Sequence, residues 1–141
     1  MWKKLVVAVV SLVAIAALAL VVTQVAVKPI SADLSLVGQG KPALVLAYEN
    51  FSPNGGEALT RLRQVSADYE SQMHFVVADL GTPQGQAFAR RHGLNDGQAV
   101  FLLADGTPLQ TTHIAADENE LRSRLDSKLS AAEKRPIGGK S

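Results

Sequence analysis

Three short apolar runs, separated by segments of helical period, constrain the fold of this chain more than any other feature. Ala43-Leu-Val-Leu-Ala-Tyr48, His74-Phe-Val-Val-Ala-Asp79 and Ala99-Val-Phe-Leu-Leu-Ala104 have strand length and almost no polar alternation. That pattern belongs to strands covered on both faces. Between the first two, Leu59, Leu62, Val65 and Tyr69 recur at helical spacing. Ser52 is a candidate N-cap with Pro53 at the first helical position; alternatively Asn54 caps and Glu57 closes a capping box. Thr82-Pro83 opens a second helix in the same way, Phe88 is its core anchor, and Gly93 ends it. Asp105-Gly106 predicts a tight hairpin turn with positive φ at both central residues. Thr107 to His113 then returns as a fourth strand, and Pro108 assigns it to an edge. Asp117 and Glu120 cap a last helix with Leu121, Leu125 and Leu129 on one face. Glu118–Arg122 and Glu120–Arg124 have the favourable i,i+4 orientation. The order βαβαββα joins a right-handed parallel crossover to an antiparallel hairpin closed by a helix.

A second feature lies upstream. The 23 residues from Leu5 to Val27 carry no charge, and only Ser11, Thr23 and Gln24 are polar. As a helix this run is about 34 Å long, enough for a hydrocarbon core of ~30 Å. It exceeds the apolar core of a cleaved signal peptide. Lys3 and Lys4 precede it, and Trp2 suits the interface. The positive-inside rule then leaves residues 1–4 in the cytoplasm and the rest of the chain across the membrane. Ala8, Ser11, Ala14 and Ala17 recur every three residues, a stripe of small side chains that permits close helix approach within the membrane. The expected organisation is a cytoplasmic N-terminus (1–4), a transmembrane helix (5–27) in contact with lipid, a linker (28–40), a domain (41–129) and a flexible tail (130–141).

The residues of that domain carry a resemblance. Lys41-Pro-Ala-Leu-Val-Leu-Ala-Tyr-Glu-Asn-Phe-Ser-Pro-Asn54 resembles the thioredoxin stretch in which a Lys-Pro-led strand runs into Trp-Cys-Gly-Pro-Cys. His92-Gly-Leu-Asn-Asp-Gly-Gln-Ala99 resembles that family's Tyr-Gly-Ile-Arg-Gly-Ile-Pro-Thr. The Leu-Leu-Ala-Asp-Gly hairpin and the capped last helix are similar as well. The resemblance implies a thioredoxin-like α/β/α sandwich preceded by a single transmembrane helix. It also marks what is missing: Phe51 and Asn54 stand where the redox cysteines would be, Val45 in place of a buried acid, and Gln98 in place of the cis-proline. A non-proline cis bond costs about 3 kcal/mol, so the bond before Gln98 is expected to be trans.

Chemistry narrows the function further. The chain has no cysteine, and thiol–disulfide exchange needs a thiolate. The net charge of +1, with 12 basic against 13 acidic residues beyond Lys4, gives no field for nucleic acid. The three histidines show no metal-ligand spacing, no Walker loop is present, and no cofactor is expected. Ser52 at a helix start is a candidate nucleophile only if a histidine reaches it; as a Ser it is first of all a cap. The remaining expectation is a redox-inactive, non-enzymatic binding module in the periplasm, tethered to a bacterial inner membrane. It would be an accessory or assembly subunit with a membrane or periplasmic protein partner. Its candidate surface comprises Phe51, Ser52, Pro53, Asn54, Gly55, Asn95, Asp96 and Gln98. The alternatives are a peptide-holding chaperone and an enzyme of non-thiol chemistry at Ser52.

Overall fold

The computed structural model describes residues 2–24 and 29–134, without the side chains of 17–24. Its elements are α1 (Trp2–Gln24), a 3-10 turn (Leu34–Leu36), β1 (Ala43–Tyr48), α2 (Pro53–Tyr69), β2 (His74–Asp79), α3 (Pro83–His92), β3 (Gln98–Leu102), β4 (Pro108–His113) and α4 (Glu118–Glu133). The four strands form one sheet in the order β2-β1-β3-β4. β1 pairs parallel with β2, as a helical crossover requires, and antiparallel with β3. β4 pairs antiparallel with β3 and lies at the edge, where Pro108 opens the strand.

The sheet is covered on both faces, which explains the continuous apolar runs. Leu44 and Leu46 of β1 join Phe101 under α2 and α4, together with Leu62, Val65, Leu121 and Leu125. Val45 and Ala47 point the other way, to Val76, Val100, Leu102 and Phe88 of α3. Each fully buried Leu or Val side chain contributes about 1.5–3 kcal/mol, and β1 supplies both faces at once. Arg122 ties α4 to α2 through Asp68 at 2.6 Å while holding Glu118 at 2.9 Å. The Glu120–Arg124 pair forms at 2.5 Å.

Four expectations need correction or qualification. Residues 28–40 are more than a linker where they are described: the Ser31 carbonyl accepts from Val77 N at 2.8 Å, and Leu34, Leu36 and Val37 pack against the second core. Apolar residues in a segment without period find their place only against the finished sheet. The Asp105-Gly106 hairpin has a three-residue loop, closed by Leu103 N on Thr107 O at 2.8 Å, with positive φ at Gly106 alone. This is the type I turn with a glycine bulge, which spares Asp105 the left-handed region. α4 continues through 130–133, and Ala132 packs against the core. Finally, α1 is helical over most of 5–27, with 25–27 outside the described residues. Among the described residues no helix is long and apolar enough to cross a membrane, the described side chains of α1 ending at residue 16. Those side chains are open: Trp2 is 82%, Leu12 72% and Ile15 68% exposed.

Candidate functional site

The site is built where β1 ends and α2 begins. Ser52 N donates to Glu49 O at 3.2 Å, closing a turn over Asn50 and Phe51. Phe51 has φ 70°, and among the described residues no other non-glycine residue has positive φ. This is the third turn position, which in type II turns belongs to Gly or Asn. A bulky side chain there costs roughly 1–3 kcal/mol and must be held by its surroundings. The Phe51 side chain does not repay that cost by packing, because the residue is 96% exposed.

A carboxylate from another loop holds the turn. Gly97 N donates to Ala47 O at 2.9 Å, which brings the segment before β3 against the start of α2. Asp96 then accepts three hydrogen bonds: Glu49 N at 2.7 Å and Ser52 Oγ at 2.5 Å on either side of Phe51, and Gly55 N at 3.1 Å in the first turn of α2. The contact leaves no room for a side chain unless the carboxylate moves, since a Cβ on Gly55 would lie 2.2 Å from Asp96 Oδ1. A negative group at a helix start also suits the helix dipole.

Ser52 occupies the expected N-cap position but makes no side-chain cap bond. Its hydroxyl is the donor to Asp96, and Asp96 does the capping in its place. The competing capping box is not formed either, because Glu57 pairs with Arg61 at 3.3 Å. The Ser52 nucleophile reading needs a histidine, and none bonds it among the described residues. His92 lies against the Phe88 ring with centroids 4.4 Å apart, where burial first and Arg91 second lower its pKa. His113 meets the Gln98 side chain at 3.3 Å. Gln98 Oε1 accepts from Asn95 N at 2.9 Å, folding the loop before β3 onto itself. No peptide bond among the described residues is cis, so the bond before Gln98 is trans as expected. Val45 is fully buried in the second core.

Of the eight candidate surface residues, Asp96 joins Ser52 and Gly55 directly, while Asn95 and Gln98 stand on the loop of Asp96 and the Gln98 side chain turns to Asn95 N and His113. Phe51, Pro53, Asn54 and Asn95 are exposed and Gly55 is buried. The role of Asp96 escaped the sequence reading. Its partners lie 41–47 residues away, and no local spacing announces them. A shallow cleft of about 430 Å³ runs from Pro53 and Gly56 to Ala116 and Glu118. A deeper groove of about 480 Å³ lies between β4 and α4, floored by Leu44, Phe101 and Leu125, and none of residues 51–56 lines it. Among the described residues no group of three or more His, Asp or Glu side chains is placed to hold a metal ion. Of the small-residue stripe, Ala8, Ser11 and Ala14 are exposed on α1, and Ser11 Oγ donates to Val7 O at 2.8 Å. The Ala17 side chain lies outside the description.

The architecture has relatives among solved structures. An uncharacterized thioredoxin-like protein from Clostridium perfringens superposes with a TM-score of 0.60 at 20% identity, over 70% of this chain and 79% of that one. The fold is thioredoxin-like. The germline-specific thioredoxin Deadhead of Drosophila melanogaster superposes with a TM-score of 0.53 at 16% identity, over 64% of this chain and 83% of that one. No family model and no curated protein matches the chain. At these identities the likeness is one of fold. Within the thioredoxin-like frame, the Phe51 turn is the loop in which the sequence resemblance places the absent cysteines.

Proposed function

We propose that this chain is a redox-inactive, membrane-anchored binding module with a thioredoxin-like domain, serving as an accessory or assembly subunit of a membrane protein complex. Residues 5–27 anchor it in a bacterial inner membrane, with the N-terminus in the cytoplasm and the domain in the periplasm. The uncharged 23-residue run and the lysines before it support the anchor. One observation carries the binding role: an aromatic side chain, 96% exposed, is held at φ 70° beside a helix start. A strained backbone that displays an apolar ring without burying it is explained by a partner that buries it.

The surroundings give the partner its chemistry. Residues 42–60 contain no Lys or Arg, and neither do residues 94–99. Glu57 is paired with Arg61 and the Asp96 carboxylate is taken up by its own chain, which leaves Glu49 as the exposed carboxylate beside Phe51. The partner therefore offers an apolar pocket for Phe51 with an N–H donor or cation placed for Glu49. Anchoring confines module and partner to two dimensions and raises their effective concentration.

The test is capture from membranes solubilised in mild detergent, with the wild-type chain and Phe51→Ala side by side. The expected result is a co-purifying membrane or periplasmic protein whose recovery falls about tenfold or more with Phe51→Ala, as for an interface hot spot. Recovery of the chain from the soluble fraction would remove the anchor. Equal capture by both chains would remove Phe51 as the contact, and isolation of the bare monomer would remove the subunit role.

A further inference from the structure

The Phe51 turn is held from outside its own sequence. Within the turn the backbone offers one bond, Ser52 N to Glu49 O. Beside it the Tyr48 hydroxyl donates to Asn50 Oδ1 at 3.2 Å, and three further bonds end on Asp96, one from each side of Phe51 and one from the helix that follows. Asp96 stands in the loop before β3, and that loop is fixed in turn by Gly97 N on Ala47 O and by Asn95 N on Gln98 Oε1. The loop carries the strain at Phe51 without contributing to the contact that Phe51 makes.

We propose that Asp96 is a positioning residue for this surface: its carboxylate is a built-in anion that latches the β1–α2 turn and keeps Phe51 displayed before a partner arrives. The inference rests on the reading of Phe51 as an interface anchor and names what controls that anchor. Three features carry it. The carboxylate fills a donor set of two backbone N–H groups and one hydroxyl, the arrangement that receives an anion at a helix start. Gly55 is the residue that lets the carboxylate approach. Phe51 lies between two of the three donors, so release of the carboxylate frees its φ to return to the ordinary negative region. A turn pre-formed in its bound shape loses less freedom on association, and affinity rises accordingly. Partner binding is therefore set by a residue whose carboxylate faces inward, toward its own chain.

Hydrogen exchange and φ-sensitive backbone couplings, measured by NMR on the full chain in detergent micelles, test the latch without the partner. In Asp96→Ala the Glu49 and Gly55 amides should exchange about tenfold faster or more, since bonds to charged acceptors are the stronger kind. The Phe51 coupling should move toward a negative-φ value. The Leu46 and Val100 amides, deep in the sheet, report whether the variant remains folded. Ser52→Ala removes one donor and should give a smaller loosening of the same amides in a chain whose fold is not in question. Formate or acetate added to Asp96→Ala should restore part of the protection, a rescue that a merely space-filling side chain would not allow. Unchanged exchange at Glu49 and Gly55 in both variants would overturn the latch, as would an unchanged Phe51 coupling. Loosened amides with partner capture by Asp96→Ala unchanged would overturn the positioning role, because binding would then not depend on the latch, whereas equal capture by Phe51→Ala would overturn the contact on which the latch is argued to act.

Discussion

Two helices of this domain start from the same four-residue pattern and reach different structures. α3 begins with Thr82-Pro83-Gln84-Gly85 and α2 with Ser52-Pro53-Asn54-Gly55. At α3 the pattern closes on itself: Thr82 Oγ1 accepts from Gly85 N at 3.1 Å, a cap complete within the motif. At α2 the corresponding hydroxyl turns away and donates to Asp96, and the Gly55 amide finds the Asp96 carboxylate at the same 3.1 Å. The glycines differ correspondingly. A Cβ on Gly85 would lie 1.9 Å from the backbone oxygen of Asp79, whereas on Gly55 it would meet a side-chain carboxylate. One start is locked by the fixed main chain of its own strand. The other is held by a movable group from a distant loop, with a strained aromatic residue before it. The first serves only to start a helix. The second leaves Phe51 open to solvent at positive φ.

The comparison is broken most forcefully at the glycines. Gly85→Ala should cost about 3 kcal/mol or more, because the Asp79 backbone has nowhere to go. Gly55→Ala should cost clearly less, since the Asp96 side chain can swing aside, and it should loosen the Phe51 turn as Asp96→Ala does. Urea denaturation of the two variants decides the order, and equal losses would erase the distinction between fixed and movable holds. Next is the cap itself. Thr82→Ala should destabilise the domain by about 1 kcal/mol, the usual loss for an N-cap, and speed exchange at Gly85. Ser52→Ala should leave Gly55 partly protected by Asp96. A reversal of these amide responses would mean that Ser52 caps after all.

A smaller effect with the opposite sign is expected at Phe51. Phe51→Gly should stabilise the domain by about 0.5–1 kcal/mol: it relieves the left-handed strain, offset by the greater freedom of glycine when unfolded. The exposed ring has no burial to lose. Thermal melts read this gain, while capture of the partner should fall. A destabilised Phe51→Gly chain would show that the ring holds the domain together. The smallest effect is the pH response around His92. Its folded pKa lies below the ordinary 6.5 because burial, and after it Arg91, disfavour the charged ring. The unfolded chain therefore binds the proton more readily, so this part of the stability is present above about 6.5 and is lost as pH falls through the folded value. His92→Gln should flatten the slope of stability against pH in that acid window, and an unchanged slope would assign it to other groups.

The strands were legible because burial on both faces leaves an unmistakable apolar run: β1 and β2 stand at 43–48 and 74–79, as the runs predicted. α3 was legible because Thr82, Pro83 and Gly93 act on neighbours within one turn. Where the signal is local and the response is local, sequence suffices. The hairpin shows where that begins to fail, since Asp105-Gly106 marks the turn and the strand register decides which residue takes positive φ. The segment around Leu34 and Val37 shows it failing outright, for those side chains are core only because a finished sheet stands beside them. Phe51 was a candidate surface residue from the sequence, but its positive φ gave no warning. A Glu-Asn-Phe-Ser stretch is not a sequence in which the left-handed residue is expected to be the Phe.

Composition and order alone therefore determined that this chain carries no thiol, holds one long uncharged run, and folds its later residues as βαβαββα. Each of these follows from what a residue is or from periodicities shorter than one element. Tertiary structure alone decided which of two matching helix starts would cap itself. It sent Asp96 across to Ser52 and left Phe51 facing outward under strain. Those outcomes depend on distances between residues more than 40 positions apart, which exist only once the sheet has brought its loops to one end.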